Sequence, residues 1–284
     1  MAKIITKDTK PGKGISKNEP EKRRFFLFFE LIGIKIRKLT ELNLLYTIML
    51  IPLLTGLYFS LDLNTDIYAK PIFTIHPDVV SLIILAASVF VTGPATAGFV
   101  YVLRNMQRRE HAWVVSDFFA QFKKNYLQGI AVSALDLICC TVLYVAFNFY
   151  VYIMPADVPE MGSLFPIVGA VFTAALAFIY IWAHYYIYTM MVTFSLKFSD
   201  LFKNSLMFSL ARLPLNIFIT AVLAVVIVGF LLLFTVSIIA AAAVFALVLL
   251  SLSGFFVVFA TYPTIDKFML QKATKKTRVL NTRS

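Results

Sequence analysis

Residues 213–265 read LPLNIFITAVLAVVIVGFLLLFTVSIIAAAAVFALVLLSLSGFFVVFATYPTI, 53 positions between Arg212 and Asp266 without one Asp, Glu, Lys or Arg. A helix of about 20 apolar residues crosses a hydrocarbon core of roughly 30 Å. The run is too long for one crossing and right for two. The turn between them is expected near residues 234–237, where Thr235 and Ser237 give the only local polar signal. Such a hairpin belongs in a lipid bilayer.

Upstream, four more charge-poor runs have crossing length: 42–61, 79–103, 126–154 and 164–196. Asp62, Asn64 and Asp66 end the first and Arg104 the second, and a polar break at 155–163 separates the third from the fourth. With 213–234 and 238–262 this makes six spans, an all-α integral membrane bundle. Composition agrees: 60% of residues are hydrophobic and 14% charged, with a mean hydropathy of +0.83. A soluble domain has roughly 45–50% apolar and about 25% charged residues. A soluble globule, a disordered chain and a fibrous one are excluded. The net charge of +11 then points to the anionic inner leaflet of the lipid bilayer as partner, and not to nucleic acid.

Lys and Arg collect on the inner side of a membrane. With an internal N-terminus, 25 of the 26 fall in the inner segments 1–41, 104–125, 197–212 and 266–284, and Lys70 alone lies outside. The outer loops carry Asp62, Asp66, Asp78, Asp157 and Glu160. The expectation is a multi-pass protein of the cell membrane with both termini cytoplasmic. Residues 1–24 and 271–284 read as disordered basic cytoplasmic tails around a transmembrane domain at 25–270. No cleavable signal peptide is visible in the first tail, so the first span is expected to target the chain.

Residues 25–41 read as a helix lying in the interface. Phe25, Phe28, Phe29, Ile32, Ile36 and Leu39 share one face, and Glu30, Arg37, Lys38 and Glu41 lie opposite. Headgroup insertion needs such a Phe-rich face, so an anchor is favoured over a partner-binding helix. Between the second and third spans stands RNMQRREHAWVVSDFFAQFKKN (104–125). Ser116 or Asp117 can cap a short helix there, with Phe118, Phe119 and Phe122 on its apolar face and Lys123 and Lys124 at its C-terminal end. A similar opening, Ser199-Asp200-Leu201-Phe202, recurs before the last hairpin, by an internal repeat or by chance. Arg104, Arg108, Arg109, Trp113, Asp117, Phe118, Phe119, Phe122, Lys123, Lys124, Asp200 and Phe202 are the candidate partner or lipid face.

In the second span stands Gly93-Pro94-Ala95-Thr96-Ala97-Gly98. Pro94 removes a helix hydrogen bond and bends the helix at Gly93, while Thr92 and Thr96 can satisfy freed carbonyls. Gly93, Ala97 and Gly98 leave a shallow surface for close approach of another helix. A hinge or solute-contacting break is the alternative. This element, Trp113, SDFF with FKKN (116–125) and Tyr262-Pro263-Thr264-Ile265-Asp266, in this order, resemble the YesL-like family of polytopic bacterial membrane proteins of unknown function. The resemblance covers roughly residues 25–270. It implies a Gram-positive source and genes beside carbohydrate ABC importers and sugar-responsive regulators. Importer subunits or a sensor kinase would then be the protein partners. It supplies no catalytic residues.

Asp136 is the only acidic residue well inside a span, and His184 lies at a similar depth in the next. A carboxylate at mid-membrane costs at least roughly 2.5–3.5 kcal/mol, so it needs a partner. An Asp136–His184 contact is expected, as a structural clamp or as a proton or solute site. Trp182, Tyr185, Tyr186 and Tyr188 would line a sugar-sized groove or make interhelical hydrogen bonds. The adjacent Cys139 and Cys140 read as small apolar fillers.

No nucleophile–base set, metal cluster or Gly-rich phosphate loop is present in the sequence, so neither an enzyme nor a cofactor is expected. The expected function is a non-catalytic accessory component of carbohydrate ABC import or its regulation. The alternative is a small-solute, sugar-related transporter in its own right.

Overall fold

A computed structural model of the chain describes residues 23–63, 73–75, 78–157 and 164–270. The tails expected at 1–24 and 271–284 lie outside the described residues, apart from Arg23 and Arg24. The elements run α1 (Arg24–Ser60), β1 (Leu61–Leu63), β2 (Phe73–Ile75), α2 (Val79–Gln107), α3 (Val114–Lys124) and α4 (Tyr126–Asn148). A π turn (Phe149–Ile153) leads into the short α5 (Met154–Asp157), followed by α6 (Leu164–Met191), α7 (Phe198–Ala211) and α8 (Leu213–Val236). The chain closes with α9 (Ile238–Val244), a π turn (Phe245–Leu249), α10 (Leu250–Ile265) and a last π turn (Asp266–Leu270).

Six helical stretches are long and apolar enough to cross a membrane: Arg24–Ser60, Val79–Gln107, Tyr126–Ile153, Leu164–Met191, Leu213–Val236 and Ile238–Met269. The protein is an all-α, multi-pass membrane bundle. One end of the bundle carries Arg104, Lys123, Lys197 and Arg212 and is called the basic end below. At the opposite end β1 and β2 form a small antiparallel ribbon, with Asp62 opposite Thr74.

Ser237 separates α8 from α9. Its backbone is extended, at φ −155° and ψ 109°, and its hydroxyl oxygen accepts the Ala240 N–H at 3.3 Å. This N-cap bond replaces one that the new helix cannot make for itself. A polar turn residue therefore sets the hairpin inside an otherwise charge-free run.

The separate interfacial helix expected at 25–41 is not found. Residues 24–60 form one helix of 37 residues, about 55 Å long at 1.5 Å per residue. No proline and no glycine pair interrupts residues 34–51, so the helix has no reason to break where the polar residues end. Asn43 contacts Phe245, Ala246 and Ser251, while Phe28 packs on Phe255, Phe256 and Phe259. α1 therefore packs antiparallel along α10 and the π turn before it. Its Phe-rich face is divided: Phe28 turns inward, and Phe25, Phe26 and Phe29 remain exposed.

α2 is the centre of the bundle, touching α1, α3, α4, α6 and α10. One buried cluster joins it to α1, α3 and α10, and a second joins it to α6, α7 and α8. The short helices α3 and α7 pack back on the spans before them, α2 and α6 respectively. The two segments with the similar Ser-Asp opening, at 116–119 and 199–202, thus share this arrangement. The first span has no separate short helix before it.

Candidate functional site

The GPATAG element is where helices approach most closely. A Cβ built on Gly93 would lie 1.9 Å from the Gly129 carbonyl oxygen of α4, and one on Gly129 would lie 2.6 Å from the Pro94 nitrogen. One turn on, a Cβ on Gly98 would lie 2.6 Å from the Phe118 carbonyl oxygen of α3. Gly93, Pro94, Ala97 and Gly98 are buried, and Thr96 partly so. The threonines do not serve the carbonyl four residues before Pro94, that of Phe90. Thr92 donates to Ser88 O and Thr96 to Thr92 O, while Ser133 of α4 donates to Val89 O at 2.8 Å. Because the Thr96 proton is already used, Tyr46 is the donor in its 2.8 Å bond to Thr96.

Asp136 and His184 meet, with Nε2 and Oδ1 2.7 Å apart across the α4–α6 hairpin. Tyr180, one turn before His184, donates its hydroxyl to the same Oδ1 at 2.5 Å. His184 Nδ1 lies 3.0 Å from the Tyr180 carbonyl oxygen. A carbonyl only accepts, so Nδ1 carries a proton, and a single further proton lies between Nε2 and Oδ1. With that proton on either atom and Oδ2 bare, imidazole and carboxyl sum to zero charge. Such a pair meets the cost of burial that an isolated ion would not. Their side chains are 25% and 29% exposed, so the pair is not sealed.

Of the two roles open to the aromatic residues of α6, groove lining or interhelical hydrogen bonding, Trp182, Tyr185 and Tyr186 take the second. Trp182 donates to Thr220 of α8 at 2.9 Å and Tyr185 shares a hydrogen bond with it at 3.0 Å. Tyr186 donates to Asn216 Oδ1 at 2.7 Å, and Asn216 Nδ2 donates to Ser209 O. Tyr188 is buried in the same cluster. The polar tips of Trp182, Tyr185 and Tyr186 are spent on joining α6 to α7 and α8.

At the basic end two residues of the expected partner or lipid face turn inward. Arg104 is buried, donating to Val192 O at 2.7 Å beyond the end of α6 and to Asn105 Oδ1 at 3.0 Å. Phe118 is fully buried against α2. Both are corrections: an unsatisfied helix end drew in the guanidinium, and the missing side chain of Gly98 made room for the ring. Asp117 does not cap α3 in the expected manner either. The helix begins earlier, at Val114, and Asp117 reaches back to accept the Trp113 N–H at 2.9 Å. Phe119, Phe122 and Phe202 are half-buried. Arg108, Arg109, Trp113, Lys123, Lys124 and Asp200 remain exposed.

Asn43 and Gly129 carry structural weight that the sequence reading missed. Asn43 is fully buried, donates to Phe245 O and Ala246 O, and accepts the Ser251 N–H at 2.7 Å. One amide side chain thus satisfies both sides of the π turn at Phe245–Leu249. Among the described residues no three His, Cys, Asp or Glu side chains gather as metal ligands.

Fold and site together define a multi-pass helical membrane protein built around a glycine crossing and a neutral polar pair. Residues 39–147 match the model of a family described as "Protein of unknown function, DUF624". That stretch holds α2, α3 and most of α4, hence the GPATAG element and the SDFF…FKKN segment, and stops before Tyr262. No curated protein and no solved structure matches the chain.

Proposed function

We propose that this chain is a non-catalytic membrane protein that docks a membrane-embedded partner through its basic end, as an accessory component of carbohydrate ABC import or of its control by a sensor kinase. In this reading the basic end is cytoplasmic, both termini lie there, and the membrane is the cell membrane. The distribution of 25 of 26 Lys and Arg supports that orientation.

The observation that carries the reading is Trp113. It is 70% exposed, yet the turn that presents it is held on both sides. Lys38 donates to Ala112 O at 2.8 Å, Asp117 holds the Trp113 N–H, and His111 packs on the indole at 4.7 Å. A positioned, exposed tryptophan in a segment that also exposes Arg108, Arg109, Lys123 and Lys124 has the make-up of an interaction hot spot. The link to carbohydrate import rests on the YesL-like resemblance and its gene neighbours, and the matched stretch 39–147 contains its most specific motifs. Energy coupling would come from the partner.

The test is extraction of the tagged protein from its host in mild detergent, followed by mass spectrometry. Wild type is expected to bring down ABC importer subunits or a sensor kinase, and Trp113→Ala to lose about tenfold of them at equal expression. Absence of both partner classes from the wild-type sample, or full recovery with Trp113→Ala, would overturn the reading.

A second reading, a small-solute, sugar-related transporter, is favoured by the partial exposure of the Asp136–His184–Tyr180 cluster. It requires that replacing His184 abolish sugar-dependent growth while the protein stays folded.

A further inference from the structure

Beside α10, near the basic end, the bundle is open. A cavity of about 650 Å³ lies between the N-terminal limb of α1, α8 and α10, well inside the roughly 300–1,000 Å³ of ligand sites. Phe28, Phe29 and Ile32 of α1, Phe218 and Val222 of α8, and Phe256 of α10 are among its walls. Apart from Arg24 and Ser253, every lining side chain is purely hydrocarbon. The walls run from Val244 to Ala260, about 24 Å of helix, and half of a roughly 30 Å hydrocarbon core is about 15 Å. The groove is therefore longer than one hydrocarbon leaflet is deep, and can take the full length of an acyl chain.

Arg24 stands at one end of it. Its Nη2 donates to Phe259 O at 2.8 Å, and its guanidinium lies 5.3 Å from the centre of the Phe259 ring. Those contacts fix the cation while a guanidinium's five N–H donors leave capacity for a phosphate. Arg23 is exposed beside it. A membrane protein cannot leave such a groove to water, and its occupant must be apolar along one leaflet and anionic at one end.

We propose that the groove holds an acyl chain of an anionic phospholipid, with the headgroup phosphate paired to Arg24. A zwitterionic lipid such as phosphatidylcholine would fit the walls and offer a phosphate, but its own ammonium offsets the negative charge that Arg24 and the neighbouring Arg23 attract. A second copy of the chain would have to bring an apolar helix with an acidic end.

Native mass spectrometry of the full chain tests this, after delipidation and addition of phosphatidylglycerol or phosphatidylcholine in equal amounts. Wild type is expected to retain one phosphatidylglycerol, preferred by about fivefold, the weight of one Arg near an anionic surface. Arg24→Gln should bring the preference close to one while one lipid is still retained. Ser253→Trp, which fills the groove, should abolish retention with little change in melting temperature. Equal retention of both lipids by wild type, no retained lipid, or a preference unchanged in Arg24→Gln would overturn the proposal. If Ser253→Trp does not fold, Val222→Trp on the opposite wall serves in its place. A wild-type dimer that excludes lipid would assign the groove to a second copy instead.

Discussion

α2 and α8 are equally free of charge in their central turns, yet they live in different surroundings. Of the 29 residues of α2, 15 are buried, whereas of the 24 residues of α8 only Asn216 and Ile219 are. α8 is the more apolar of the two spans, so hydropathy does not explain the difference. In lipid there is no hydrophobic drive to bring helices together, and association rests on close packing and interhelical hydrogen bonds. α2 has both: Gly93 and Gly98 let backbones touch, and Ser133, Tyr46 and Arg104 bond across to neighbours. α8 has its polar contacts at one end, through Asn216 and Thr220, and turns Leu215, Phe218, Val222 and Val226 to the groove that lies between it and α1.

The comparison is broken most severely at the glycines. Gly93→Leu puts atoms where the Gly129 carbonyl already is, and a loss beyond about 4 kcal/mol is expected. Gly229→Leu in α8 meets nothing within 4 Å and should leave the protein unchanged. Thermal unfolding in detergent reads both, and a comparable drop for the two would show that α2 is no more tightly packed than α8.

A smaller loss is expected for Asn43→Leu. It strands two carbonyls and one N–H at the π turn, and a buried unsatisfied polar group costs about 1–3 kcal/mol. The helix end has room to relax, so a total of about 3 kcal/mol is anticipated. Faster hydrogen exchange at Ser251 should accompany the loss of stability. Protection unchanged at Ser251 would mean that the amide does not hold the turn.

The smallest effect lies at the start of α2. The Ser81 backbone N–H donates to Asp78 Oδ1 at 2.7 Å and holds this exposed carboxyl below the usual carboxylate range. A lowered carboxyl contributes fully above its ordinary pKa and fades as pH falls through the lowered value. Fraying of the first turn should therefore increase on acidification in wild type, and Asp78→Ala should show that fraying at every pH. Amide exchange at Ser81 as a function of pH measures it, and a flat profile in wild type would deny the cap a role.

Much of this was legible in the residues, for physical reasons. Spans are legible because apolar length is what a bilayer demands, and Ser237 was findable as a polar interruption. The meeting of Asp136 and His184 follows from depth, since two helices in a hairpin rise equally per residue. Tyr180 was within reach by its i−4 spacing to His184 but carried no separate signal. Asn43 was not legible, because its partner is a π turn in FALVL, a segment with no residue that announces it. Arg104 was misplaced because a charge at a helix end reads as exposed, and the carbonyl that draws it inward belongs to a helix 88 residues later. The continuity of α1 is not legible, because the polar residues at 35–41 mark one face of a helix and say nothing of where it ends.

We propose that the Asp136–His184 pair is a clamp and not a transport site. A double-mutant cycle with Asp136→Leu and His184→Leu tests that most directly, read by denaturant or thermal stability in detergent and by growth on sugars. Each single change should cost about 1–3 kcal/mol, because it leaves the other group unpaired. The double change should recover much of that loss, with a coupling of about 0.5–3 kcal/mol and normal growth. Zero coupling, or recovered stability with lost growth, would contradict the account.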